Sequence, residues 1–326
     1  MFDVITIGSA TKDVFLVSKD FKIIKSDKFK GGVGECFAYG AKIELGDIYF
    51  DTGGGATNAA YTFANLGLNT SVVSKIGHDI YGMEIMSVLA DNNINPSNLV
   101  ADKKHKTAYS TILITPGGDR TILVYRGASA NFSSSDFQWD KLKTKWFYIT
   151  SLAGNLSLLK KIFNFAKKNK IKIAWNPGSG ELKHGKAKLE PLIKQTTIFN
   201  INKSEAAKLS GKKDIKKIFK VLDKLTPNYL VITDGSKGAY LSDDILIYKA
   251  DVLKAEVLNT TGAGDAFGSG FCAGIILKSD WDYALRLAIL NSSGVIQAMG
   301  AKHGLLEKLP LQKQLSKIDI NIYGKI

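Results

Sequence analysis

The sequence predicts an α/β fold in which helices cover both faces of a mainly parallel central sheet and a small accessory β-sheet lies beside it. Two observations carry this. From Trp146 onward, short apolar runs alternate with helical stretches: KWFYIT, then Leu156–Lys168, Ile171–Trp175, TTIFN, KSEAAKL, DIKKIFKVLDKL and NYLVIT. Strands alternating with helices call for parallel pairing. Two β-rich regions, near residues 14–50 and 106–126, break that rhythm and supply the accessory sheet.

The elements follow in order. DVITIG is the first strand, and SATKDVFLVSKDFKII alternates like a strand or hairpin. CFAYGAKIELGDIYFD continues in β style, and ATNAAYTFANLG has helical spacing with Gly67 as its C-terminal stop. TSVVSKIG is a strand and DIYGMEIMSVLADNN a helix. TAYSTILITP and RTILVYRG are β runs joined by the turn GGD, and NPGSGELKHGK is a loop. No Pro/Gly/Ser linker, repeat or low-complexity tract appears, so the 326 residues read as one domain, 1–326.

Composition excludes several classes. The 45% hydrophobic and 23% charged content is that of a globular protein, and no apolar run approaches the length of a membrane span. MFDVITIGSA enters a strand directly, without a basic leader, which predicts a cytoplasmic protein. Cys36 and Cys272 are far apart and lack metal-ligand spacing. The net charge of +14 comes almost wholly from scattered lysines, with arginine only at 120, 126 and 286. That pattern describes solvated helix faces rather than a nucleic-acid surface.

Two glycine stretches open helices. In NTTGAGDAFGSGF (Asn259–Phe271), Gly262 and Gly264 bare the backbone N–H groups of a helix whose apolar residues Phe267, Phe271 and Ile275 recur every fourth position. Such an end attracts an anion. Asp265 in its first turn would repel that anion unless it takes a proton from an attacking hydroxyl. A favourable first-turn charge is the plainer alternative. DTGGGATNAA (Asp51–Ala60) repeats the device, and with Asn58 in place of a third glycine it is no dinucleotide fingerprint.

In NINKSEA, Asn202 and Glu205 fit either a helix cap or the ordering of water around a nucleotide's magnesium ion. Asp13 stands at the carboxyl end of the first strand, where α/β folds bind ligands, or is a plain turn carboxylate. Thr233, at the end of a strand, precedes a glycine turn that either faces a nucleotide or joins two strands.

Together these stretches resemble the ribokinase-like (phosphofructokinase-B type) carbohydrate kinases over nearly the whole chain and in the family's order. GGGATNAAYTFANLG and NTTGAGDAFGSGF match its two signatures, NKSE its NxxE, and TDGSKG its strand-turn before the nucleotide. The resemblance implies a three-layer α/β/α fold with a β lid, placed at about 14–50 and 106–130. It implies phosphorylation of a sugar-like hydroxyl by ATP with Mg²⁺, a ribose-like pentose first, then a nucleoside, then a sugar acid or sugar phosphate.

By position, Asp265 is then the base, and the N–H groups of Gly262, Ala263 and Gly264 form the anion hole. Asn202 and Glu205 organise Mg²⁺ and phosphates, Glu205 through water. Thr233, Gly235 and Asn291 lie near the nucleotide. Asp13, Gly54, Gly55 and Asn58 hold the substrate's hydroxyls, and Arg126 could reach an anionic group from the lid. Asn259 stands where ribokinases carry aspartate, which leaves dependence on K⁺ open.

Losing the aspartate of GAGD would mark a non-catalytic sugar-binding member, and Asp265 is present. The expected partners are a small-molecule substrate and, through open lid edges, a second copy of the chain. Neither nucleic acid nor membrane is expected.

Overall fold

Phe2–Ile7 has Val4, Ile5, Thr6 and Ile7 wholly buried, as a strand covered on both faces must be. The computed structural model describes residues 1–326 except Lys30, residues 116–119, Pro227 and Asp244. The expected GGD turn lies outside the described residues. Phe2–Ile7 pairs in parallel with Thr144–Ile149 on one side and Thr70–Gly77 on the other. Lys172–Trp175, Ile198–Asn202 and Tyr229–Thr233 extend the parallel sheet beyond Thr144–Ile149. Ala239–Ser242, Leu246–Ala250 and Ile320–Lys325 then add antiparallel strands. Ile94–Asn95 and Leu99–Asp102 pair in parallel with Thr70–Gly77 at the other side.

Alternation along each strand sorts side chains into two cores. Phe147 and Ile149 join one with Trp175 and Phe199, while Trp146 and Tyr148 join the other with Phe63 and Phe271. The first core is roofed by Leu156–Lys168, which turns Leu158, Leu159, Ile162, Phe163 and Ala166 inward. Asn155 caps that helix by accepting the Leu158 N–H at 3.0 Å, and Lys167 and Lys168 complement its last turn. Leu158, Leu159, Ile162 and Phe163 each stabilise the fold by about 1.5–3 kcal/mol on burial. The opposite core is roofed by Gly55–Asn65, Ala263–Lys278 and Trp281–Val295. The last two pack closely because Gly274 has no side chain, and a Cβ there would stand 2.4 Å from the Ala284 Cα.

The accessory sheet has the order Arg120–Tyr125, Ala108–Ile114, Thr11–Val17, Asp47–Gly53. Its central pair is parallel and its outer pairs are antiparallel. Phe15, Ile112 and Ile114 form its small core.

Some expectations are corrected. Residues 37–46 contain no strand, and β structure there is confined to Val33–Cys36 and Asp47–Gly53. The loop after Trp175 contains the helical turn Ser179–Leu182. Its Glu181 is fully buried and accepts from the N–H groups of Leu152, Gly154 and Gly178 and from the Ser151 hydroxyl. The helices Lys186–Ile193 and Trp281–Val295 and the final strand are absent from the sequence reading. Among the described residues no helix is long and apolar enough to cross a membrane.

Candidate active site

The helix Ala263–Lys278 starts from Gly262, whose backbone is left-handed at φ +82°. A Cβ there would come within 2.7 Å of the Ala301 Cα, so both conformation and space demand glycine. A Cβ on Gly264, by contrast, would meet nothing, so the first turn opens onto free space. Asp265 is the acid of that turn.

The helix Gly55–Asn65 meets it. Gly54, at φ +99°, passes so close to Ser9 that a Cβ would lie 2.4 Å from its carbonyl oxygen. The Gly55 N–H donates to the Ser9 Oγ at 3.2 Å. One turn on, the Asn58 Nδ2 donates to the Asp265 Oδ2 at 2.9 Å, joining the two glycine-opened helices. The Asn58 Oδ1 is buried without a protein partner. Asp13 is buried, accepts from the Thr11 hydroxyl at 2.9 Å, and abuts Gly53.

Burial raises the carboxyls of both Asp13 and Asp265 above the ordinary range. Hydrogen bonds from Ser110 and Thr11 restrain Asp13, that from Asn58 restrains Asp265, and the charge of Lys302 restrains both.

On the far side of the Gly264 turn lies a cavity of about 390 Å³. Thr233, Gly235, Ala263 and Gly264 line it together with Phe267, Ile289, Ser292, Ser293 and the Val252–Val257 segment. Asn202 and Glu205 form a reciprocal helix cap. The Asn202 Oδ1 accepts the Glu205 N–H at 2.9 Å, and the Glu205 Oε2 accepts the Asn202 N–H at 3.0 Å. Burial raises the Glu205 carboxyl. The neighbouring Lys203 pairs with Asp234 at 2.7 Å, tying this helix start to the turn before Gly235.

Two predicted residues stand elsewhere. Asn291 is wholly buried and does not line the cavity. Its Nδ2 donates to the Thr62 hydroxyl and the Ala266 carbonyl, and its Oδ1 accepts the Leu306 N–H. Its neighbours Ser292 and Ser293 reach the cavity instead. Arg126 is exposed at the start of the short helix Gly127–Ala130. The arginine that the accessory sheet sends to the glycine loop is Arg120, whose guanidinium donates to the Thr260 hydroxyl. Asn259 is buried, and its Nδ2 points a donor at the Gly300 carbonyl at 3.4 Å.

Sequence reasoning misses Lys302 entirely. Its ammonium is buried, donates to the Thr52 hydroxyl at 2.9 Å, and lies 5.1 Å from the centre of the Tyr61 ring. In the sequence it is one lysine among many, and only its burial sets it apart.

Two glycine-opened helix starts are joined by an amide–carboxylate bond, and the turn that carries the carboxylate borders a mainly apolar cavity, an arrangement that can hold two reactants and take a proton from one of them. The pfkB family carbohydrate kinase model matches residues 4–308. This chain belongs to the pfkB family of carbohydrate kinases. As such it is a phosphotransferase with an alcohol group as acceptor. This pfkB kinase is 28% identical to the ribokinase of Lactococcus lactis over 85% of its own length and 90% of the relative's. It is 26% identical to the nucleoside kinase of Methanothermobacter thermautotrophicus over 77% of its length and 80% of the relative's. The structure of Arabidopsis thaliana ribokinase complexed with ribose and ATP superposes with a TM-score of 0.75 at 20% identity, covering 97% of this chain and 98% of that one. That likeness establishes the shared fold.

Proposed function

We propose that this kinase transfers the γ-phosphoryl group of ATP to a hydroxyl of a neutral sugar, with a ribose-like pentose as first choice. The observation that carries this is Asp265, held by Asn58 in the first turn of a helix whose N–H groups open onto free space. The polyol lies beside Asp13, Asn58 and the Gly54–Gly55 turn. Asp265 takes the proton of the attacking hydroxyl, and the backbone of Gly262, Ala263 and Gly264 receives the phosphoryl charge. The nucleotide base occupies the cavity between Thr233, Gly235 and Ser292, whose apolar walls suit a planar ring.

Magnesium would enter with the nucleotide's phosphates. Glu205 commits Oε2 to the helix cap, and its second oxygen is the one that could order metal-bound water.

The charge around the acceptor niche favours a neutral substrate over sugar acids and sugar phosphates. Asp13, Asp51 and Asp265 face the buried Lys302, whose ammonium burial pushes below its ordinary range, and the other buried lysine, Lys12, is paired with Glu84. The nucleoside kinase relative supports a nucleoside as the second reading. Asp265, in place and hydrogen-bonded, opposes a merely sugar-binding role.

The accessory sheet serves as a lid, with segments at about 14–50 and 106–130 of a single domain, and its exposed edge pairs with a second copy. The test is ADP release with ATP–Mg²⁺ over ribose, fructose, 2-keto-3-deoxygluconate, sugar phosphates, adenosine and cytidine, with and without K⁺. Ribose is expected to give the largest stimulation. With Asn259 presenting an amide donor, K⁺ is expected to change the rate little. Adenosine or cytidine as the strongest acceptor would replace ribose, and no stimulation by any acceptor would overturn the reading.

A further inference from the structure

Lys302 follows Gly300 and Ala301 in a loop after the helix Trp281–Val295, and its side chain is buried against Thr52 and Tyr61. A buried ammonium is costly unless charge and hydrogen bonds compensate it. Here the compensation is specific. The Nζ is anchored on the Thr52 hydroxyl at 2.9 Å and stands over the Tyr61 ring. Thr52 immediately precedes Gly53, against which the Asp13 carboxylate packs. The Gly300 backbone presses on Asp51, to whose Oδ2 a Cβ at 300 would come within 2.5 Å. That Oδ2 has no hydrogen-bond partner.

We propose that Lys302 is a positioning residue of the kinase reaction, a buried cation anchored on Thr52 and Tyr61 beside the carboxylate cluster of the acceptor niche. The proposal rests on the reading of Asp265 as the base.

The groups facing Lys302 leave it this role. From the strand Thr11–Val17 come Asp13 and Lys12, the latter paired with Glu84 at 2.6 Å and so already engaged. From Asp47–Gly53 comes Asp51, from Gly55–Asn65 the neutral Tyr61, and from Ala263–Lys278 Asp265. In its own loop His303 is exposed, 4.0 Å from Asp51. Tyr148, on the strand beneath Asp265, is held neutral by burial. Burial pushes the Lys302 ammonium below its ordinary range while Asp51, Asp13 and Asp265 hold it charged, and among the described residues it is the buried cation that acts on both Asp13 and Asp265. Removing it lets burial raise both carboxyls further, so the base becomes protonated at a higher pH than before.

The test is kcat/KM against pH for the wild type, Lys302→Met and Thr52→Val, with ATP–Mg²⁺ and D-ribose, or adenosine if the acceptor panel selects it. In Lys302→Met the acid limb should move to higher pH, making the loss against wild type about tenfold greater near pH 6 than near pH 8. Thr52→Val, which releases the anchor and keeps the charge, should move the limb the same way by less. An unshifted limb in a Lys302→Met protein with a normal thermal transition overturns the proposal. If that variant does not fold, an unshifted limb in Thr52→Val overturns it. Asp265→Asn separates the two readings. Near-normal turnover there sinks Asp265 as the base. An inactive Asp265→Asn beside an unshifted Lys302→Met limb sinks only the role of Lys302.

Discussion

Asp265 combines three features at the residue scale: a helix first turn, a hydrogen bond from Asn58, and a carboxyl pushed upward by burial. Asparagine keeps the shape and loses the basicity, so Asp265→Asn should lower kcat by roughly 10²-fold or more with sugar binding retained. Steady-state kinetics and ligand titration check both halves. The sign of the pH effect follows from the same carboxyl. A base whose pKa is raised is protonated, and idle, further up the pH scale, so kcat/KM should begin to fall above the ordinary carboxylate range as pH drops. Asp265 stands out in the sequence because a charge in the first turn of a glycine-opened helix asks for a chemical reason. Lys302 does not, because nothing local distinguishes a buried lysine from an exposed one.

Secondary-structure elements divide along the same line. Leu156–Lys168 shows the residue bounds the periodicity predicts, because its own caps and apolar stripe define it. Asn202 and Glu205 form the cap their spacing allows. Asn291, expected near the nucleotide, instead ties its own helix to three elements: Gly55–Asn65 through Thr62, Ala263–Lys278 through Ala266, and the C-terminal loop through Leu306. Asn291→Ala would leave buried partners unsatisfied and should cost about 2–4 kcal/mol in urea unfolding. The KM for ATP in the folded variant should stay within about twofold, since the lost contacts lie outside the cavity. A large rise in KM with unchanged stability would return Asn291 to the nucleotide.

Across the whole molecule, the accessory sheet leaves an apolar edge. Leu123, Val124 and Tyr125 on Arg120–Tyr125 are each more than half exposed, and Phe50 on the opposite edge strand is 63% exposed. An unpaired apolar edge invites another strand. Light scattering after size exclusion should therefore find a dimer, and Leu123→Lys should give a folded monomer. A monomeric wild type at micromolar concentration would overturn the pairing.

The sequence by itself determined the α/β class, the two glycine-opened helices, Asp265 and the family resemblance, because each depends on residues close together in the chain. Periodicity and helix-terminus chemistry act over a few residues and leave their mark in the string. Tertiary structure alone decided that Asn58 bonds Asp265 across 207 positions, that Arg120 rather than Arg126 meets the glycine loop, and that Lys302 is buried against Thr52 and Tyr61. Those outcomes depend on burial and on pairing between distant strands and helices, which no local spacing encodes.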